Sequence, residues 1–337
     1  MKKIIAVFIP HQGCPQRCVF CHQPHITGMS THTDVTPDDI RRQIEQALHE
    51  PKSLRQGAQF EVAFYGGTFT GLPYQVQERF LSVVQPYISQ GSIAGIRVST
   101  HPCLFNEQIF TLLETYSVKI VELGIQSFDS AVLRQAGRGY TAQEAITTIR
   151  QLQTRGMKVG IHLMIGLPGD SPAKSLESAQ KAIELSPDSV RLHPTLVIKG
   201  TRLEQLYKDG QYTPLSLDEA VATSKEMLKL FRKAQIPVIR IGLQPTDSME
   251  QHLVAGPYHP ALRQVVESAI FYDEMISLCM VRPSENDTVA FYVSPKDIST
   301  ARGQKNVNIT KLQQRFQLRV VRILPDETLE RQQLRRG

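Results

Sequence analysis

The sequence contains no apolar run approaching the roughly 20 residues that cross a bilayer, so no membrane-embedded segment is expected. The opening MKKIIAVFIPHQ has a basic start, but its apolar stretch is short and no small-residue cleavage site follows. It reads as a buried first strand rather than a signal peptide. There is no tandem repeat beyond a β–α unit and no low-complexity segment. With 41% hydrophobic and 21% charged residues, the composition excludes disordered, collagen-like and fibrous classes. Cysteine is scarce. Five is an odd count for a secreted disulfide framework, and three of the five crowd into eight positions. That pattern points to a reduced cytoplasm and to a metal.

Acidic residues run short only at one end. Residues 296–337 hold ten Lys and Arg against four Asp and Glu, an excess of six that equals the excess of the whole chain. Residues 1–295 are therefore neutral and the tail is basic. The length of 337 residues suits a barrel-sized domain with an appendage.

The first 245 residues alternate short β-rich runs with amphipathic helical stretches. The periodicity predicts strands at Lys3–Ile9, Phe60–Tyr65, Gly95–Thr100, Lys119–Gln126, Lys158–Ile165 and Ser189–Val197. Thr36 and Thr141 are expected as helix N-caps and Gly156 as a C-cap. Six β–α units imply a parallel sheet covered by helices, either doubly wound or curled into a barrel. Each motif falls just after a strand, where parallel α/β folds bind ligands. Ile236–Leu243 is itself strand-like. Beyond it a turn-rich connector precedes a helix (Ala261–Met280), a strand (Thr288–Val293), a helix (Asn308–Phe316) and a strand (Leu318–Leu324). The expected division is residues 1–245 and 246–337.

The sharpest signal is Cys14-Pro-Gln-Arg-Cys18-Val-Phe-Cys21, a CxxxCxxC loop after the first strand. A zinc site would need a fourth ligand from His11, His22 or His25. A ferredoxin-type cluster would need a fourth cysteine, and Cys103 and Cys279 lie far off. Three thiolates on a four-iron cluster would leave one iron open to a small ligand. Three unrelated buried thiols are the remaining reading.

This loop resembles the signature of radical S-adenosylmethionine enzymes. Tyr65-Gly66-Gly67-Thr68 and the segment Glu122–Asp170 resemble oxygen-independent coproporphyrinogen III oxidases and their relatives. His193–Tyr212 is similar to the radical domain of the elongator catalytic subunit, a tRNA uridine modifier. The resemblance covers about residues 1–245. It implies a partial (β/α)6 TIM-like barrel followed by a small C-terminal α/β domain. It also implies two cofactors, a [4Fe-4S] cluster and S-adenosyl-L-methionine, and an enzyme that makes a 5′-deoxyadenosyl radical. On it, Cys14, Cys18 and Cys21 are the cluster ligands and Phe20 packs on the adenine, unless that ring only packs the loop. Gly66, Gly67 and Thr68 meet the methionyl amine, since glycines let backbone carbonyls approach a cation closely. Gln126 and Arg138 make polar contacts to the cofactor, and the Arg fork suits its carboxylate. Ser99 and His162 stand where the porphyrinogen oxidases carry ribose-binding acids, and both can hydrogen-bond a hydroxyl. That departure argues against carrying over their substrate.

No catalytic side chain is assigned. Cys103 is a candidate hydrogen-atom donor, with a small core cysteine as the alternative. His11, His22, His25 and His101 read as loop histidines in contact with solvent.

The elongator-like stretch makes RNA, especially tRNA, the expected substrate, with an electron donor such as flavodoxin or ferredoxin and a cytoplasmic location. The chain has no room for the elongator subunit's acetyltransferase domain, so acetyl transfer is not expected. Two other readings stand beside this one. The first is radical chemistry on a small molecule such as a tetrapyrrole; the second is a non-catalytic iron–sulfur or zinc protein that binds RNA. In the tail, Arg302-Gly-Gln-Lys-Asn306 precedes a helix and a strand. That order resembles the core of a KH module with the second glycine of its GxxG loop replaced by Asn306. A capping α/β unit with solvated cations is the alternative.

Overall fold

In the computed structural model the described residues are 2–9, 13–14, 18–22, 25, 35–49, 59–281 and 287–337. The first strands are β1 (Lys2–Phe8), β2 (Gln59–Tyr65), β3 (Ile93–Thr100), β4 (Val118–Gln126), β5 (Lys158–Ile165) and β6 (Ser189–Pro194). A two-residue strand, β7 (Val197–Ile198), then leaves this layer, and β8 (Val238–Ile241) returns to it. The main sheet runs β1-β2-β3-β4-β5-β6-β8, every pairing parallel, and curls into a partial barrel with β1 and β8 as its two edges. Seven strands stand where six were expected, because the strand-like Ile236–Leu243 supplies the seventh.

Helices alternate with the strands, as parallel connections require. Thr36 and Thr141 both cap as expected, each closing a capping box with the acid three residues on, Asp39 and Glu144. Gly156 lies one residue past the C-cap Arg155, at φ +74°. Its N–H and that of Met157 return to the carbonyls of Gln153 and Leu152, a Schellman ending.

Alternation on the strands separates two environments. Val62, Phe64, Val98, Val121, Leu123, Val159, Ile161, Val190 and Leu192 face the helices and join one large apolar core. The opposite parity carries Glu61, Arg97, Glu122, His162 and Arg191, so the lumen of the barrel is charged. Strand β7 pairs antiparallel with β9 (Leu253–Ala255), inside the stretch expected to be a plain connector.

A second apolar cluster lies under a three-stranded sheet of order β11-β10-β12, made by β10 (Thr288–Val293), β11 (Val320–Pro325) and β12 (Leu334–Arg336). The helix Leu262–Val281 belongs to both cores. Its Leu262, Val266 and Ile270 pack in the barrel core, and its Phe271, Met275 and Cys279 pack in the small one. Among the described residues no helix is long and apolar enough to cross a membrane.

Candidate active site

The cysteine loop is fixed by close backbone packing. Gly13 (φ +74°) lies so near the turn after β2 that a Cβ on it would fall 2.2 Å from the Thr68 carbonyl oxygen. One on Gly71 would fall 2.0 Å from the Gly13 carbonyl oxygen. No side chain fits between these backbones. Val19 then donates to the Ala136 carbonyl at 3.1 Å, and the Leu203 N–H donates to the Val19 carbonyl at 2.8 Å. Phe20 is half-buried and touches two small clusters, Val19–Val197–Leu203–Tyr212 and Val132–Ala136–Leu167. The ring therefore anchors the loop to the barrel rim.

The predicted residues converge around this loop to different degrees. The Cys14 thiol lies 3.0 Å from the Thr68 hydroxyl, which ties the first cysteine to the Gly66-Gly67-Thr68 turn. Gly66 takes φ +83°, where a side chain would be strained. Arg138 is buried and donates to the Cys18 sulfur at 2.9 Å. Its other nitrogens reach the Gly124 carbonyl and the Tyr140 hydroxyl, and the guanidinium lies over the Tyr140 ring at 5.2 Å. Gln126 ends β4 at φ +68°, just past the β4–β5 register shift that skips Ile125, and pairs with Leu163. Ser99 lies on β3, paired in register with Glu122 on β4. His162 bonds Glu122 through Nε2 at 2.8 Å.

Among the described residues no three His, Cys, Asp or Glu side chains are gathered as a ready metal site, and residues 15–17 between Cys14 and Cys18 lie outside them. His11 lies outside them too. The donor set nevertheless suits an iron–sulfur cluster. Soft thiols on one loop select it, and the buried Arg138 guanidinium already donates to the Cys18 sulfur.

Two sequence readings are revised. His101 is buried rather than solvated: its Nε2 lies 3.2 Å from the Arg138 carbonyl oxygen and its ring meets Tyr140 edge-on. Burial, then the charge of Arg138, holds its pKa down to about 4. His22 and His25 are half-buried; His22 stacks on His25 at 3.8 Å between centroids, and His25 stacks on His252 at 3.6 Å. Cys103 is half-buried and packs against the large core, and burial followed by Glu144 pushes its thiol up to about 11, so it remains protonated. Ser127 turns outward to bond Ser178 at 3.3 Å.

The charged lumen was missed. Glu122 is fully buried and accepts from Arg97 at 2.6 Å, from His162, and twice from Arg191 at 3.0 Å. Arg97 also reaches Glu61 at 2.8 Å, and Tyr65 bridges Arg191 and Glu122. Burial alone would raise the Glu122 pKa, but His162 and Arg191 outweigh it and hold the carboxyl well below the usual range. Removing one member of such a set leaves a buried charge uncompensated, which costs about 3–5 kcal/mol. The signal was present in the sequence. Central strands of a parallel sheet read as nearly continuous apolar runs, and VKIVELGIQ and SVRLHP break that rule at Glu122, Arg191 and His193.

A family model described as the Radical SAM superfamily matches residues 8–182. The chain belongs to that superfamily. A second model, the Radical_SAM C-terminal domain, matches residues 187–271. Members of the superfamily are enzymes that work with a [4Fe-4S] cluster and S-adenosylmethionine, and this radical SAM chain is one of them. A tRNA uridine(34) acetyltransferase of Dehalococcoides mccartyi is 25% identical over 300 residues, which are 78% of this chain and 64% of that protein. An uncharacterised protein of Methanocaldococcus jannaschii is 28% identical over 229 residues, 64% of this chain and 68% of its own length. Among solved structures, Methanocaldococcus infernus Elp3 with an N-terminal deletion superposes with a TM-score of 0.60 at 22% identity. The match covers 82% of this chain and 63% of that one, and shows a shared fold. This radical SAM chain thus spans less than two thirds of the acetyltransferase and of the Elp3 chain.

Proposed function

We propose that this radical SAM enzyme modifies RNA, with tRNA as its substrate. One observation carries the reading: the match to the tRNA uridine(34) acetyltransferase reaches over 78% of the chain, so its extent exceeds the barrel. The C-terminal unit adds charge. Arg331 and Arg335 are neutralised by Asp297 and Asp326, whereas Lys305, Lys311, Arg315, Arg319 and Arg322 are exposed without acidic partners among the described residues. An exposed excess of this sign suits a phosphate backbone.

In this reading Cys14, Cys18 and Cys21 hold the cluster, and Gly66, Gly67, Thr68, Ser99, Gln126, Arg138 and His162 hold S-adenosylmethionine. When bound and reduced through the cluster, that cofactor would supply the radical chemistry of the family, hydrogen-atom abstraction from the substrate. Arg138 has a double task, since it sits on Cys18 and is also the cation for the methionyl carboxylate. Tyr140 and the Gly124 carbonyl hold its plane in one orientation. A low-potential donor of the flavodoxin or ferredoxin class and a reducing cytoplasm complete the requirements.

The test is anaerobic reconstitution and measurement of 5′-deoxyadenosine with dithionite, with and without bulk tRNA. Formation stimulated by tRNA and abolished by Cys18→Ala is expected. Turnover indifferent to tRNA would point to a small-molecule substrate instead.

A further inference from the structure

The lumen extends beyond the residues assigned to the cofactor. Pairing in register places Gly124, His162, Arg191 and Arg240 in one row across β4, β5, β6 and β8. The row starts at the ribose side of the expected cofactor site and ends at the open edge of the barrel. Its charges do not balance. Among the described residues Arg97, Arg191 and Arg240 meet two carboxylates, Glu61 and Glu122, and both are taken by Arg97 and Arg191. Arg240 is half-buried and has no acidic partner among the described residues. Arg191 spends Nε and one terminal nitrogen on Glu122 and Tyr65, and its other terminal nitrogen has no partner among them. His193, two residues from Arg191 on the same strand face, has a buried Nε2 with no hydrogen-bond partner.

The geometry points to an anion subsite at the open edge of the barrel, where Arg191 and Arg240 take a phosphate group of the substrate. Adjacent parallel strands lie about 4.8 Å apart, so two guanidinium forks in register present donors to one ligand from two sides. A carboxylate has two oxygens and is satisfied by a single fork, whereas a phosphate offers oxygens to both. Burial and the charge of Arg191 disfavour the Arg240 cation, and a bound anion relieves that repulsion. Entry from the lateral opening would lead a nucleotide past Arg240 and Arg191 towards His162. The inference deepens the RNA reading by naming the group that is held. The phosphate source is either a polynucleotide backbone or a free nucleotide.

The experiment measures equilibrium binding of bulk tRNA, uridine 5′-monophosphate and uridine to the reconstituted full chain. Wild type is compared with Arg240→Gln, and Arg240→Lys is the charge-conserving control. Loss of one charge-assisted contact is expected to weaken the monophosphate about tenfold or more. Uridine should be unaffected, and Arg240→Lys should recover part of the loss. If Arg240→Gln does not fold, the difference between monophosphate and uridine in wild type and Arg240→Lys carries the test. Monophosphate binding no tighter than uridine, or indifferent to Arg240, overturns the subsite. The two readings fail separately. Monophosphate that depends on Arg240 without any tRNA binding would keep the subsite and remove the RNA reading. Stimulation by tRNA that is equal in wild type and Arg240→Gln would do the reverse.

Discussion

At the scale of single residues, the site depends on atoms that are missing as much as on those present. Gly71 has no Cβ, and only for that reason does the Gly13 carbonyl rest against it. Gly71→Ala should therefore displace the cysteine loop, because the neighbour is backbone and cannot rotate away. Iron and sulfide per chain after reconstitution should fall well below those of wild type, with the barrel still folded by circular dichroism. Full cluster content in Gly71→Ala would show that the loop does not need this contact.

Buried imidazoles set a pH dependence at the same scale. Burial, then His162 and Arg191, holds the His193 pKa down to about 3, and His101 lies near 4. An unfolded histidine titrates at about 6.5. Below that pH the unfolded chain takes up protons that the fold excludes. Stability is therefore complete above about pH 6.5 and declines as pH falls towards the folded values. The thermal midpoint should drop between about pH 6.5 and 5, before most carboxylates protonate. His193→Gln should flatten part of that slope, and an unchanged slope would assign it elsewhere.

At the scale of elements, the strands were legible as short β-rich runs between amphipathic stretches, and two helix starts were legible at Thr36 and Thr141. Thr141 shows how local that information is. Its capping box closes the helix Ala142–Thr154 immediately after Arg138 and Tyr140. Thr141→Ala should cost about 0.5–2 kcal/mol of stability, read as a lower thermal midpoint, and leave the Cys18 contact in place. What stayed hidden was long-range. The β7–β9 pair joins residues 198 and 253, and no local pattern in LQPTDSMEQHLVAGPYHP signals a three-residue strand. His22, His25 and His252 stack although two of them lie more than two hundred residues from the third. The family resemblance singled out the cysteine loop, Gly66-Gly67-Thr68, Gln126 and Arg138, and the fold brings Thr68 to Cys14 and Arg138 to Cys18. The contacts among Glu122, Arg97 and Arg191 needed four strands, β3 to β6, to be laid in order, with Arg191 reaching across β5.

At the scale of the whole molecule, charge and architecture are divided. Residues 1–295 sum to neutral, and residues 296–337 carry exposed cations, with Gly303, Lys305 and Asn306 at positive φ between the helices Ile298–Arg302 and Val307–Phe316. Changing Lys305, Lys311 and Arg315 together to Ala should weaken tRNA binding and flatten its dependence on salt, since each lost phosphate contact removes roughly one released counterion from the slope. Titrations at several salt concentrations measure both effects. A folded triple variant with unaltered affinity and slope would leave this sheet as scaffold.

The helix Leu262–Val281 has a bearing on how the chain comes off the ribosome. The last barrel strand ends at Ile241, but the core behind it is completed by Leu262, Val266 and Ile270, and Arg263 reaches back to the Val238 carbonyl. A nascent chain that has exposed all seven strands still lacks the side chains that close the apolar face of β8. Synthesis proceeds at roughly 5–20 residues per second, so this unfinished edge waits a second or more for its cover. The segment that covers it then carries, on its next turns, the first buried residues of the small sheet. The helix that completes one core thus begins the other.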